Sequence, residues 1–226
     1  MQINSDFSAV ATVAAKGYHW VPSTQFGVDR MMLDRLGEEK ARATSVVRYA
    51  PESVFPNHAH PGGEEIFVLS GTFSDQSGDY PQGWYLRNPI GTQHAPFSHQ
   101  GATIFVKLWQ MNKADKSTVR INTYDAESWR IENGRSVCAL FEDQYETTSL
   151  QKLTPLEALF QTLPMAAPAE LLVLSGDLLF DGVEYAEGSW LRLPLGNNVS
   201  VLAGESGATV YLKQGEFQNV HHKANV

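Results

Sequence analysis

Cysteine is almost missing from this chain: Cys138 is the only one in 226 residues. A lone thiol excludes an internal disulfide framework and any cysteine-rich zinc site, and its plainest role is that of a small buried hydrophobe. Positive charge is also short. Seventeen Lys and Arg face 25 Asp and Glu, a net charge of -8. That balance argues against nucleic acid as a partner, because phosphate binding needs a basic surface. No apolar run approaches the roughly 20 residues of a membrane span. The opening "MQINSDFSAVATVAAKG" has no basic stretch ahead of its small residues, so neither a membrane anchor nor a secretory leader is expected. The expectation is a cytoplasmic protein that binds neither nucleic acid nor membrane.

Helical periodicity is scarce too. The stretches "IFVLSG", "WYLR" and "TIFVKLW" are rich in β-branched and aromatic residues and are bounded by Gly, Pro, Asn and Asp, which marks short strands between turns. Regular spacing of such strands indicates an all-β sandwich or barrel. Near the N-terminus "SDFSAVATVAAKG" admits a short helix or an added strand, and the sequence leaves both open. A 42% apolar composition supplies a sizeable core, for one large domain or two of ordinary size.

The chain repeats itself. "EEIFVLSGTFSDQSGDYPQGWYLRNPIG" begins at Glu64 and "AELLVLSGDLLFDGVEYAEGSWLRLPLG" at Ala169, with Val68/Val173, Gly71/Gly176, Gly83/Gly188, Arg87/Arg192 and Gly91/Gly196 in step. One extra residue then realigns "GATIFVK" with "GATVYLK", and upstream "TSVVRYAP" at Thr44 echoes "TSLQKLTP" at Thr148. So many aligned glycines and prolines read as a duplicated domain, with a seam near "MNKADKST" and domains at 1–113 and 114–226.

Chemistry concentrates in the first copy. In an extended segment His58 and His60 share a face, "PGG" can turn the chain, and Glu64 can come back to the same side. "GWYLRNPIGTQH" supplies His94 behind turn residues that fix its approach. Three imidazoles and a carboxylate suit a divalent first-row metal. The matching positions in the second copy are Leu163, Met165, Ala169 and Val199, all apolar. A barrel without metal does better with packed hydrophobics there, so one metal per chain is expected. Glu65 and Arg87 recur as Glu170 and Arg192, which reads as a structural cross-strand ion pair at the surface of each copy. His19, His99 and the tail pair His221 and His222 read as solvated. Ile66, Val68, Trp84, Tyr85 and Phe97 flank the metal motif and are the expected lining of a small-molecule pocket.

His58-x-His60-x3-Glu64-x6-Gly71 resembles the first signature of the cupin superfamily, and Gly83-x5-Pro89-x-Gly91-x2-His94 its second, with Ser98 in place of the usual closing asparagine. Within that superfamily the segment resembles the cupin domain of ChrR-type anti-sigma factors, across the first copy and in degenerate form the second. The resemblance implies two tandem cupin barrels of the double-stranded β-helix, or jelly-roll, type. It implies a metal held by His58, His60, Glu64 and His94. Zinc is usual in ChrR-type proteins; iron serves in related cupins of the dihydroxyacetophenone dioxygenase type, and nickel or manganese would also suit the set. Two functions follow as expectations. One is a module that binds or senses a small molecule or oxidative stress, linked to anti-sigma-type regulation. The other is a metal-dependent dioxygenase acting on a small oxygenated substrate. A homodimer is expected. ChrR-type anti-sigma factors grip the sigma factor through a separate N-terminal His/Cys zinc domain. Here the cupin begins almost at once and one cysteine cannot build that grip, so direct sigma-factor binding is not expected.

Overall fold

The computed structural model describes residues 1–38 and 40–215; His221 and His222 lie outside the described residues. The described chain is all-β apart from single 3-10 turns at Ala15–Gly17 and Ala126–Ser128. No helix among the described residues is long and apolar enough to cross a membrane.

Two units emerge, and neither is a contiguous half. The first comprises Met1–Ser5 and His19–Tyr124. The second comprises Asp6–Tyr18 and, among the described residues, 125–215. This differs from the expected division into 1–113 and 114–226 for a reason visible in the pairing. Val119–Asn122 completes the first unit's sheet by pairing antiparallel with Trp84–Asn88. Ala11–Val13, the open segment near the N-terminus, is a strand that pairs with Trp190–Leu193 in the second unit. Each unit therefore takes its last strand from the sequence territory expected for the other.

In the first unit Val28–Leu36, Arg42–Tyr49, Ala102–Leu108, Glu64–Asp75, Trp84–Asn88 and Val119–Asn122 lie side by side, all antiparallel. In the second, Arg135–Glu142, Glu146–Leu153, Val201–Gly215, Ala169–Phe180, Trp190–Leu193 and Ala11–Val13 follow the same order. Positions in step in the sequence make the same bonds. His60 N donates to Thr92 O at 2.8 Å, and Met165 N donates to Asn197 O at 2.9 Å. Gly71 (φ +69°) and Gly176 (φ +72°) occupy the same left-handed conformation, and a Cβ on either would strike a facing carbonyl, Gly101 O or Gly207 O. Only glycine fits such a place.

Alternate residues along these strands build a core in each unit. Ile66, Val68, Leu86, Ile104 and Val106 meet in the first, and Leu171, Val173, Leu191, Val210 and Leu212 in the second. The Glu/Arg pairs, however, are buried and not at the surface. Arg87 sits across from Glu65 in register, 3.1 Å from its carboxylate, and lies 2.8 Å from Asp115. Glu170 and Arg192 are likewise in register and buried, and Glu170 accepts from Trp190 Nε1 at 2.8 Å. Removing one member of such a pair strands the other in low dielectric, at a cost of about 3–5 kcal/mol.

Candidate metal centre

Local hydrogen bonds assemble the site. Gly91 N and Thr92 N close a turn, donating to His60 O and Pro89 O at 3.1 Å each. That turn sets Gln93–His94 antiparallel to His58–Ala59, with His94 directly opposite His58. Gly62 and Gly63 bring the chain tightly past Trp109 and Met111, where a Cβ at either position would collide, and Glu64 then opens its strand. One ligand atom from each of His58, His60, Glu64 and His94 lies within 4.8 Å of all the others. His60, Glu64 and His94 are buried and His58 is half-buried. The imidazole rings stand roughly edge to face, with centroids 4.6 to 5.2 Å apart.

The second nitrogen of each ring is committed. His58 Nδ1 lies 2.9 Å from Pro56 O, which can only accept. His60 Nδ1 lies 2.9 Å from Thr92 Oγ1, whose own proton goes to Pro89 O at 2.7 Å. His94 Nδ1 lies 3.1 Å from Asp75 Oδ2. All three partners accept, so all three rings carry their proton on Nδ1 and turn an Nε2 lone pair inward. Burial lowers the pKa of His60 below the usual histidine value; Glu64 opposes this, His94 and His58 add to it, and Asp75 opposes it. The neutral ring is the favoured form.

Glu64 is held by Asn88 Nδ2, which donates to Oε2 at 3.0 Å, and Asn88 Oδ1 accepts from Arg120 at 2.6 Å. Asp75 is buried, which works against its charge. Hydrogen bonds from His94 and Ser77 N, with the charge of Arg120, nonetheless keep its carboxyl below the usual range.

The result is a set of acceptors facing one another. The Nε2 atoms of His60 and His94 are buried without a hydrogen bond, and each lies 3.3 Å from Glu64 Oε2. Lone pairs and a carboxylate gathered in this way repel until a cation sits among them. Buried acceptors left without a donor need such an explanation. The residues fit a divalent metal in donor type, tautomer and convergence.

A cavity of about 390 Å³ opens beside the cluster, and His58, His60 and Glu64 form part of its wall. None of the five expected pocket residues lines it. Ile66 and Val68 belong to the core, Tyr85 is fully buried, and Trp84 meets Tyr80, and Phe97 meets His99, edge to face. The apolar wall comes instead from Val28, Val47, Ile104, Val106 and Leu108. The motif's sequence neighbours are not its neighbours in space, because antiparallel pairing brings inward faces from other strands to the ligands.

In the second unit Met165 and Ala169 are buried and Leu163 packs against the core, as expected of a barrel without ligands. Val199 departs from that expectation, being 37% exposed. His99, exposed and 3.1 Å from Glu52, and His19, also exposed, stand apart from the cluster. Sequence reasoning missed Asp75, Asn88 and Thr92. A signal was present: they match Phe180, Leu193 and Asn197, so two of the three positions are polar only where the His/Glu cluster is.

Residues 8–112 match the family described as ChrR Cupin-like domain. No curated protein matches the chain. Among solved structures, a provisionally assigned dioxygenase from Nostoc punctiforme superposes with a TM-score of 0.75 at 12% identity, covering 92% of this chain and 83% of that one. The chain has a cupin-type fold, and its residues 8–112 resemble the ChrR cupin. The pirin YhhW from Escherichia coli, solved with nickel(II), gives a TM-score of 0.68 at 14% identity, covering 91% of this chain and 98% of that one. A cupin 2 conserved barrel domain protein from Leptotrichia buccalis gives 0.58 at 13%, covering 87% and 92%. At these identities the likeness to solved structures is one of cupin fold.

Proposed function

We propose that the first unit binds one divalent first-row metal, zinc foremost, and presents it to a small molecule held in the adjoining cavity, as a binding or sensing module of the ChrR-cupin kind. The observation that carries this reading is the shared wall: three of the four cluster residues line the cavity. When bound, such a metal supplies a Lewis-acidic point with positions left for a ligand oxygen. The chain does the remaining work. Pro56, Thr92 and Asp75 fix the three rings, Asn88 fixes Glu64, and the apolar wall keeps water from the inner end of the cavity.

A second reading, a metal-dependent dioxygenase, is favoured by Tyr49. Its side chain lines the cavity. Burial, and then the charge of Glu64, push its phenol well above its usual pKa. It therefore stays protonated and can donate a hydrogen bond to a bound oxygen atom. The likeness in fold to the Nostoc protein points the same way. This reading needs a redox-active metal such as iron, because zinc has no redox chemistry.

Elemental analysis of protein from its native host, grown without added metal, tests both. One zinc per chain and no oxygen uptake with small oxygenated compounds supports the module; one iron with oxygen uptake supports the enzyme. Protein without stoichiometric metal that also fails to take it up on titration overturns both.

A further inference from the structure

Arg30 lies on Val28–Leu36, two residues from Val28 and opposite Val47, so these three side chains share the face that lines the cavity. Its outward neighbour Asp29 is occupied by Arg48 at 2.8 Å. Arg30 itself is half-buried and has no hydrogen bond or ion pair among the described residues; the charge it exerts falls on Tyr49. Arg35 and Lys40 also line the cavity, and among the described residues Glu64 is the only carboxylate in the wall. In a chain of net charge -8 this is a local reversal of sign. Arg35 is engaged with the carbonyls of Gly37 and Glu38, which leaves the guanidinium fork of Arg30 for a ligand.

The second unit supplies the control. Val47 matches Gln151 in the repeat, and the residues paired with them are Arg30 and Val137. Tyr49 likewise matches Leu153, and the place of Arg35 is taken by Glu142. At these places the second unit has Val137, Leu153 and Glu142, and the arginine it does carry on that strand, Arg135, is already bound to Gln151 and Glu157.

We propose that this cavity takes a small organic carboxylate, its anionic end paired with Arg30, its middle against Val47, Ile104 and Val106, and an oxygen donor at its far end reaching the His/Glu cluster. The inference deepens the metal-site reading and rests on it for the far end only. A planar two-pronged guanidinium matches a carboxylate, and a cavity of about 390 Å³ falls within the ~300–1,000 Å³ typical of small-molecule sites.

Calorimetric titration of the zinc-loaded full chain tests it with 4-hydroxybenzoate, 4-hydroxyphenylacetate and 3-(4-hydroxyphenyl)propanoate, each against its neutral amide. At least one acid should bind about 10- to 100-fold more tightly than its amide, the worth of one charge-assisted pair. Arg30→Gln should abolish that preference and Arg30→Lys should keep part of it, both with unchanged metal content. Equal binding of acid and amide, a preference that survives Arg30→Gln, or no binding by any of the three acids overturns the proposal. The same titrations without metal separate the two readings. A chain that takes up no metal but still prefers the acids through Arg30 refutes the metal site alone. A metal-loaded chain with no preference refutes the carboxylate alone.

Discussion

His94 donates its Nδ1 proton to Asp75 Oδ2 across 3.1 Å, from one end of the site's turn to the far end of the strand that Glu64 begins. The bond fixes the tautomer and the tilt of a ring whose other nitrogen faces the cluster. Asp75 is thus a positioning residue that acts through His94.

Asp75→Asn should weaken metal binding by about 10- to 100-fold, the usual effect of losing the group behind a ligating histidine. The far-UV circular dichroism should not change. Competition against a chromophoric chelator measures the affinity. Glu52→Gln, at the exposed partner of His99, is the control and should leave it unchanged. Wild-type affinity in Asp75→Asn would mean that the ring keeps its pose without the carboxylate.

Stoichiometry should be one tightly held ion per chain. The second unit offers Leu163, Met165, Ala169 and Val199 at the matching places, none of which binds a hard or borderline cation. His60→Ala should empty the site and leave the fold in place, since the second unit keeps the same strand order without ligands. His222→Ala should not alter tight binding. Two ions per chain, or equal losses from the two substitutions, would place the site elsewhere.

How much of this is legible in the sequence depends on whether spacing or register carries the information. The four residues of the cluster are legible because His58, His60 and Glu64 sit close together and His94 follows a turn that Pro89 and Gly91 announce. Asp75 and Arg30 are not, because an acid at the end of "SGTFSD" or an arginine in "VDRMMLDRL" reads as the polar side of a strand. Their inward aim depends on which strands pair and in which register. The exchange of Ala11–Val13 and Val119–Asn122 is hidden for the same reason. Both are short β-prone segments, and either satisfies an open sheet edge.

Cys138 should be inert in the folded protein. It is fully buried, and desolvation pushes its thiol from 9.0 up to about 11 against the smaller pull of Lys152 and Arg130. The unfolded chain loses this proton first. The thiol's contribution to stability is therefore complete below the unfolded value and is lost as pH rises towards the folded one. Iodoacetamide at pH 8 should leave native protein unmodified and label it once denatured. Unfolding titrations should show an alkaline loss of stability that is smaller in Cys138→Ala. Rapid labelling of the native chain would contradict the burial.

Cutting the chain at the apparent seam should damage the site. Residues 1–113 lack Asp115, so Arg87 loses the carboxylate that lies 2.8 Å from it. They also lack Arg120, which holds Asn88, which in turn holds Glu64. Without Val119–Asn122 the strand Trp84–Asn88 becomes an open edge, and Ala11–Val13 has lost its partner Trp190–Leu193. Open edges pair with whatever strand they meet. The fragment should aggregate or dimerise, melt without the cooperativity of the intact chain and bind metal more weakly. Light scattering, calorimetry and chelator competition on the purified fragment check each point. A monomer with the intact chain's metal affinity would show that neither Arg120 nor the strand that carries it is needed to hold Glu64.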